Sequence, residues 1–293
     1  MQPLDKKEND FKPSQVVKIK ENGVETVYPL YDLNKLRAVL IYTEEIPSEI
    51  PENIKQNSIT VTQRLEVNPE VSDEAIALVG YGPTLKRFWP RIRDFKTIIT
   101  TSGAHKFLID KDIIPKYHVE VDFRERKAVH TNPAHPEVSY LMSSICHPKT
   151  INNGMDGKDI KLWHINLKGI TYPEGEFVIE GYWDVGQEAI LVTKALGYRD
   201  LHLFGYDYAF ETDTGETHAG FHNGIPKKYV FAQIGERLYK TSDDLARGVL
   251  AFTALMKDHP DLTLTVYSDG LLGAYLKYHY GEMNNEHPEI TTN

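Results

Sequence analysis

The side chains best equipped for chemistry in this sequence are two carboxylates and one imidazole: Asp122, Asp207 and His218. Asp122 closes the run IIPKYHVEVDF, where it would hold a metal ion or position a ribose or sugar hydroxyl, with capping of the next turn as the plainer role. Asp207 stands in the aromatic stretch GYDYAF. A carboxylate there costs free energy unless it is paired or opens on a cleft, which favours a site. His218 lies in a Gly- and Thr-rich loop, where an imidazole could act as general acid or base or grip a phosphate, although many loop histidines are simply solvated. His222 is four residues on, but no cysteine cluster accompanies the pair to make a zinc site. His147, before Pro148, reads first as a turn residue. Lys227, Lys228 and Arg237 could neutralise phosphates or form a solvated helix face. Tyr182 and Trp183 could wall a base or sugar, or pack under a sheet.

A second set of residues has the form of a ligand cradle. In AIALVGYGPTL, residues 75–85, a short apolar run meets Gly80, Tyr81, Gly82, Pro83 and Thr84 and then a helical pattern. Glycine at 80 and 82 permits a sharp turn and close approach of a ligand, and the helix start that follows suits a phosphate. Further small polar residues end other apolar runs: Thr101, Ser102 and Gly103, then Ser143 and Ser144, then Ser268 to Gly270. The turn lacks both the third glycine of a dinucleotide fingerprint and the Gly-Lys-Thr of a P-loop.

These residues need a scaffold that gathers strand ends. Apolar strands are expected at 75–80, 96–103, 113–123, 136–144, 159–167, 200–210 and 261–270, alternating with helices near Thr84, at 104–110, after Pro148, over 180–197 and across 229–257. That alternation predicts an α/β fold: a Rossmann-like, mostly parallel sheet with helices on both faces. In such a sheet the ligand lies beyond the strand carboxyl ends, at the switch in strand order. Ahead of it, VVKIKENGVETVYPLY predicts a hairpin about Asn22-Gly23, the run Leu36 to Tyr42 is apolar, and SITVTQRLEV at 58–67 alternates as a strand. The expected division is a small β-containing N-terminal elaboration over 1–72, the main domain over 73–281 and a polar tail over 282–293.

Composition narrows the partners. The chain has 293 residues, 41% hydrophobic and 26% charged, with formal net charge −9 and a pI near 5.7, which argues against generic nucleic-acid binding. Cys146 is the one cysteine, so no internal disulfide can form, and it reads as a packed small residue rather than a nucleophile. There is no signal-peptide pattern and no apolar run of membrane-spanning length, so a soluble, cytoplasmic protein is expected.

Taken in order, the strand-end motifs resemble the domain shared by the motility accessory factors, which glycosylate bacterial flagellins, and the archaeal 6-hydroxymethylpterin diphosphokinases. Gly80-Tyr81-Gly82-Pro83-Thr84 stands for the family's Gly-x-Gly-Pro-Ser turn, and Thr101-Ser102-Gly103-Ala104 for its small-residue turn. Ile114 to Asp122 matches its "Pro-Asp … Asp" strand, Gly186 to Leu196 a helix after a Gly-rich turn, and Leu203 to Ala209 a Val-Gly-Gln-Asp-Leu-Ala element followed by Thr217-His218-Ala219. The resemblance covers residues 73–275. It implies a transferase using a nucleotide-activated donor, as a glycosyltransferase with a CMP-linked nonulosonic acid. A magnesium-dependent transfer of pyrophosphate from ATP to a pterin is the alternative, and a non-catalytic nucleotide-binding module a third reading. The pterin kinases' Asp-Leu-Asp-Gly run is replaced here by Val119-Glu120-Val121-Asp122-Phe123-Arg124, leaving Glu120 and Asp122 on one strand face as magnesium anchors. On the leading reading Gly80–Thr84 cradles phosphate, Thr101 to Ala104 and Ser143–Ser144 border the nucleotide, Asp122 and Asp207 orient ribose, sugar or metal, and His218 is the acid or base. The acceptor, a glycan, small molecule or protein, is left open.

Overall fold

The computed structural model describes residues 15–21, 24–34, 46–152, 155–220 and 228–281. Strands β1 (Gln15–Glu21) and β2 (Val24–Asp32) form an antiparallel hairpin in which Glu21 pairs with Val24. The run Leu36 to Tyr42 lies outside the described residues. Helix α1 (Ile50–Thr60) comes next, taking the first three residues of SITVTQRLEV, the run at 58–67 whose alternation suggested a strand. The helix wins because Pro51 suits its first turn and because Asn53 and Asn57, one turn apart, bury their amides on main-chain carbonyls. Only Arg64 of the following segment makes a bridge, to Leu162.

Eight strands then build an all-parallel sheet: β3 (Ser72–Val79), β4 (Ile98–Thr101), β5 (Tyr117–Glu120), β6 (Ser139–Ser143), β7 (Asp159–Asn166), β8 (Val178–Glu180), β9 (Tyr198–Phe204) and, later in the chain, a final strand Thr263–Tyr267. Its order is final strand–β9–β3–β4–β5–β6–β7–β8. Successive side chains of β3 feed opposite layers. Ile76 and Leu78 join one apolar cluster, Ala77 and Val79 another. Burial of each large aliphatic side chain contributes about 1.5–3 kcal/mol. The first layer is covered by α5 (Val185–Ala195), whose Ala189 to Val192 are buried. The second is covered by α2 (Leu85–Phe88), the 3-10 turn Trp89–Asp94 and α3 (Ala104–Ile109). Pro90 lies in that 3-10 turn and ends the α-helical hydrogen bonding at Phe88. Helix α4 (Pro148–Asn152) follows β6, as the sequence indicated.

The stretch 229–257 is not helical throughout. It opens with β10 (Val230–Ile234) and β11 (Arg237–Thr241), a tight hairpin turned at Gly235, where φ is +58°. Helix α6 (Asp243–Asp258) starts only after the Ser242 hydroxyl accepts from the Leu245 amide. Alternation in VFAQIGERLYKT, with a glycine at the turn, overrides the helical spacing. Strand β10 also pairs in parallel with β2, so the N-terminal hairpin shares a four-stranded sheet with residues from the last third of the chain. The final parallel strand, β12 (Thr263–Tyr267), leads into α7 (Leu271–Tyr280).

Candidate functional site

Strand order reverses between β3 and β9, and the candidate residues gather at the carboxyl ends of those two strands. The turn Gly80–Thr84 leaves β3 and runs against Gly205–Tyr208, which leaves β9. Three amides of the first turn donate into the second: Gly80 to the Phe204 carbonyl at 2.8 Å, Gly82 to the Gly205 carbonyl at 2.9 Å and Thr84 to Asp207 Oδ2 at 2.8 Å. This corrects the phosphate-cradle reading of Gly80, Gly82, Pro83 and Thr84. The amides are engaged within the protein, Pro83 has none to offer, and α2 has four residues whose first amides, those of Leu85 and Lys86, donate to the Gly82 and Pro83 carbonyls. The glycines serve a different need. A Cβ on Gly82 would lie 2.3 Å from Asp207 Oδ2 and 2.6 Å from the Gly205 carbonyl oxygen, so only glycine lets the two turns touch.

Asp207 is the centre of that junction. Its Oδ1 accepts from the hydroxyls of Thr84 and Ser268, so one carboxylate ties the ends of β3, β9 and β12. Burial raises its pKa, and the Thr84 and Ser268 bonds pull it back down.

Beside this junction opens a cleft of about 180 Å³. Of the sequence-derived candidates, Gly80, Tyr81, Gly82, Pro83, Thr101, Ser102, Asp207 and His218 line it. The Tyr81 ring forms part of the wall: it lies over Gly103, where a Cβ would fall 2.2 Å from its Cε1, and tilts against His218 with ring centres 5.7 Å apart. The Ala219 amide donates to the Tyr81 carbonyl at 3.0 Å, fixing the His218 loop to the β3 turn. His218 Nδ1 lies 2.6 Å from the Thr217 hydroxyl. Ser102 and Tyr208, both on the cleft, hold left-handed backbone at φ 48° and 53°, a conformation that costs about 1–3 kcal/mol at a non-glycine residue.

Other candidates stand apart. The Asp122 carboxylate is held by its neighbour Arg124, which donates Nε at 2.8 Å, Nη2 at 2.5 Å and its amide at 2.9 Å. Burial alone would raise the Asp122 pKa, and those bonds bring it below the usual carboxylate range. Glu120 is engaged by His130 and by the Val121 amide. Neither carboxylate therefore offers magnesium an open anchor, and no group of three or more metal-binding side chains forms among the described residues. Ser143 and Ser144 are fully buried and off the cleft; the Ser144 hydroxyl meets His164 Nδ1 at 2.8 Å, while α1 covers its carbonyl through Asn57. His147 has its amide on the Asp122 carbonyl. Of the cation candidates after the His218 loop, Arg237 lies over the Tyr239 ring, and His222 and Lys227 lie outside the described residues. Trp183 donates its indole N–H to the Asp244 carbonyl at 2.7 Å and so packs against α6.

The cleft also contains Lys127, His130 and Asp184, which were not site candidates, and Tyr206 and Tyr208, which flank Asp207 inside the Leu203 to Ala209 element. Lys127 and His130 sit three apart in the 3-10 turn Glu125–Thr131, whose three-residue period sets them on one side. In sequence that segment, RERKAVHT, reads as a charged surface. Lys127 is 9% exposed; burial lowers its pKa while the negative charges of Glu120 and Asp122 raise it. Asp184 caps α5 by accepting from the Gln187 amide at 3.0 Å. Tyr208 is held by Gln187 Nε2 at 3.0 Å, and Tyr206 donates to the Gly186 carbonyl at 2.9 Å.

The family model for the 6-hydroxymethylpterin diphosphokinase MptE-like domain matches residues 48–213. The chain belongs to this family. The match starts at α1 rather than at β3, so that helix is part of the shared domain, and it takes in the whole parallel sheet except β12. Among solved structures, the MAf glycosyltransferase from Magnetospirillum magneticum AMB-1 matches this MptE-like chain at a TM-score of 0.56 and 16% identity, over 76% of this chain. This chain spans 36% of that protein's length, and the likeness is one of fold. Two mammalian sialyltransferase structures align at TM-scores of 0.37 and 0.38 with 8% and 12% identity, covering 80% and 82% of this chain and 91% and 89% of theirs; that distance carries no structural inference. No curated protein sequence matches the chain. No helix among the described residues is long and apolar enough to cross a membrane.

Proposed function

We propose that this MptE-like chain transfers a sugar from a nucleotide-activated donor bound in the cleft at the β3–β9 switch point, with a CMP-linked nonulosonic acid as the donor. The supporting observation is the composition of that cleft. A nearly buried lysine, Lys127, and two histidines, His130 and His218, face tyrosine walls at the place where a parallel sheet binds its ligand. Lys127 supplies the cation for the donor phosphate, in place of the turn amides that are already bonded. Tyr81, Tyr206 and Tyr208 offer faces for the base and sugar. In transfer from such a donor the leaving group is a phosphate ester, so the protein's task is to position the sugar and stabilise the departing charge. The MAf glycosyltransferase supports the same class of chemistry on a related frame.

Pyrophosphate transfer from ATP, which the family's name carries, would need anchors for magnesium, and Glu120 and Asp122 are engaged elsewhere. A thermal-shift and calorimetric screen of CMP, CDP, UDP, ATP and pterins, with and without magnesium, tests the assignment. CMP at a hundred times its dissociation constant is expected to stabilise the chain by about 2.7 kcal/mol without magnesium. Stabilisation by ATP with magnesium and none by CMP would overturn it.

A further inference from the structure

His130 is held in an orientation that the sequence did not indicate. Its Nδ1 lies 2.8 Å from Glu120 Oε2, and the other Glu120 oxygen accepts the Val121 amide at 3.0 Å. His130 is 6% exposed and Glu120 fully buried, so this pair is fixed by packing. A carboxylate against Nδ1 selects the tautomer that carries its proton there, which leaves the lone pair on Nε2. Since the ring lines the cleft while Nδ1 points at Glu120, Nε2 is the nitrogen offered to a bound molecule. His218, also on the cleft, has the Thr217 hydroxyl rather than a carboxylate 2.6 Å from its Nδ1.

We propose that His130, oriented by Glu120, takes the proton of the acceptor hydroxyl in the transfer reaction; this rests on the donor reading above. The acceptor oxygen forms its bond to the donor's anomeric carbon. The bond from that carbon to the phosphate oxygen breaks, its electron pair leaving with CMP. The hydroxyl proton moves to His130 Nε2, and the resulting imidazolium is stabilised by Glu120 before it loses the proton to solvent. The charged and titratable groups around the ring are Lys127 on its own segment, Glu120, Asp122 and His118 from β5 and its end, His105 from α3, and Asp184 on the cleft at the start of α5.

The test uses the full chain with CMP-N-acetylneuraminic acid as the probe, following CMP release across pH. His130→Gln is expected to lower release about 100-fold or more, with CMP affinity by calorimetry essentially unchanged. Glu120→Gln is expected to keep CMP affinity and move the limb of the pH profile that His130→Gln abolishes, and imidazole is expected to restore part of the activity of His130→Ala. Release by His130→Gln at the wild-type rate and with the wild-type profile would overturn the proposal, as would loss of that limb in His218→Gln alone. Nitrogen-15 NMR of histidine-labelled chain supplies a readout independent of the donor: the Nδ1–H tautomer of neutral His130 is expected, and the Nε2–H tautomer would overturn the assignment. Wild-type chain that neither binds CMP nor releases it sinks the donor reading, and the tautomer then decides the orientation of His130 separately.

Discussion

The Thr84 amide donates to Asp207 Oδ2 at 2.8 Å while the Thr84 hydroxyl binds the other oxygen of the same carboxylate. This two-point grip joins strand ends 123 residues apart in sequence and fixes the turn that borders the cleft. Asp207 is therefore a positioning residue. Asp207→Ala leaves the Thr84 amide and the Thr84 and Ser268 hydroxyls without their acceptor, at a cost of about 2–3 kcal/mol. For a chain of this size that lowers Tm by roughly 4–12 °C. Because the folded state raises the Asp207 pKa above the ordinary 3.8, the folded chain holds its proton to higher pH than the unfolded one. The contribution is complete below the unfolded pKa and is lost as pH rises through the folded value. Asp207→Asn should remove that fall, measured as Tm against pH from 3 upward. An unaltered slope would show that Asp207 does not carry it.

Gly82 and Gly103 both lack room for a Cβ, but against different neighbours. At Gly82 the obstruction is the Gly205 carbonyl and the anchored Asp207 carboxylate; at Gly103 it is the Tyr81 ring. Gly82→Ala must separate two main-chain turns and is expected to cost about 2–4 kcal/mol. Gly103→Ala can be accommodated by swinging Tyr81, so it should cost less than half as much while weakening nucleotide binding. Denaturant unfolding and CMP calorimetry on the two variants separate these outcomes, and equal stability loss would count against the distinction.

The sheet was legible because β3, β4, β6, β7, β9 and β12 are short apolar runs that end in polar or glycine turns, a pattern that two-sided burial imposes. The switch-point location followed from it. The chemistry inside the cleft was less visible. Gly80–Thr84 was found by its glycines, yet these answer to the approach of Gly205 and Asp207, a contact that no local pattern encodes. Lys127 and His130 lie in RERKAVHT, whose charges look solvated until β5, α3 and α4 pack against that turn. Helix α1 was hidden because its buried face mixes Ile50 with two asparagines, Asn53 and Asn57, and the β-branched residues just beyond it alternate.

That asparagine face gives a stability prediction. Asn57, 1% exposed, donates Nδ2 to the carbonyls of Ser144 at 2.9 Å and Cys146 at 2.7 Å, satisfying the turn after β6. Asn57→Leu fills similar volume but strands both carbonyls, and about 2–3 kcal/mol should be lost. Exposed Gln56→Leu on the same helix turn serves as the control and should change stability by less than about 0.5 kcal/mol. Urea midpoints of the two variants decide the matter; similar midpoints would mean that α1 is held by its apolar contacts alone.

Lys127 provides the sharpest test of the donor site. It is the lysine among the described cleft-lining residues, and burial makes its charge costly unless an anion answers it. The negative charges of Glu120 and Asp122 favour that charge, so the ammonium is kept at the cleft wall. A donor phosphate bound in the cleft would meet the same charge. Lys127→Met keeps the side-chain length without the charge, so folding should shift by no more than about 1 kcal/mol. CMP affinity should fall about 10- to 100-fold, equivalent to roughly 1.4–2.7 kcal/mol. The uncharged nucleoside cytidine, which lacks the phosphate, should bind the variant and the wild type alike. Equal loss of CMP and cytidine would place the phosphate elsewhere in the cleft and leave Lys127 a structural partner of Glu120 and Asp122.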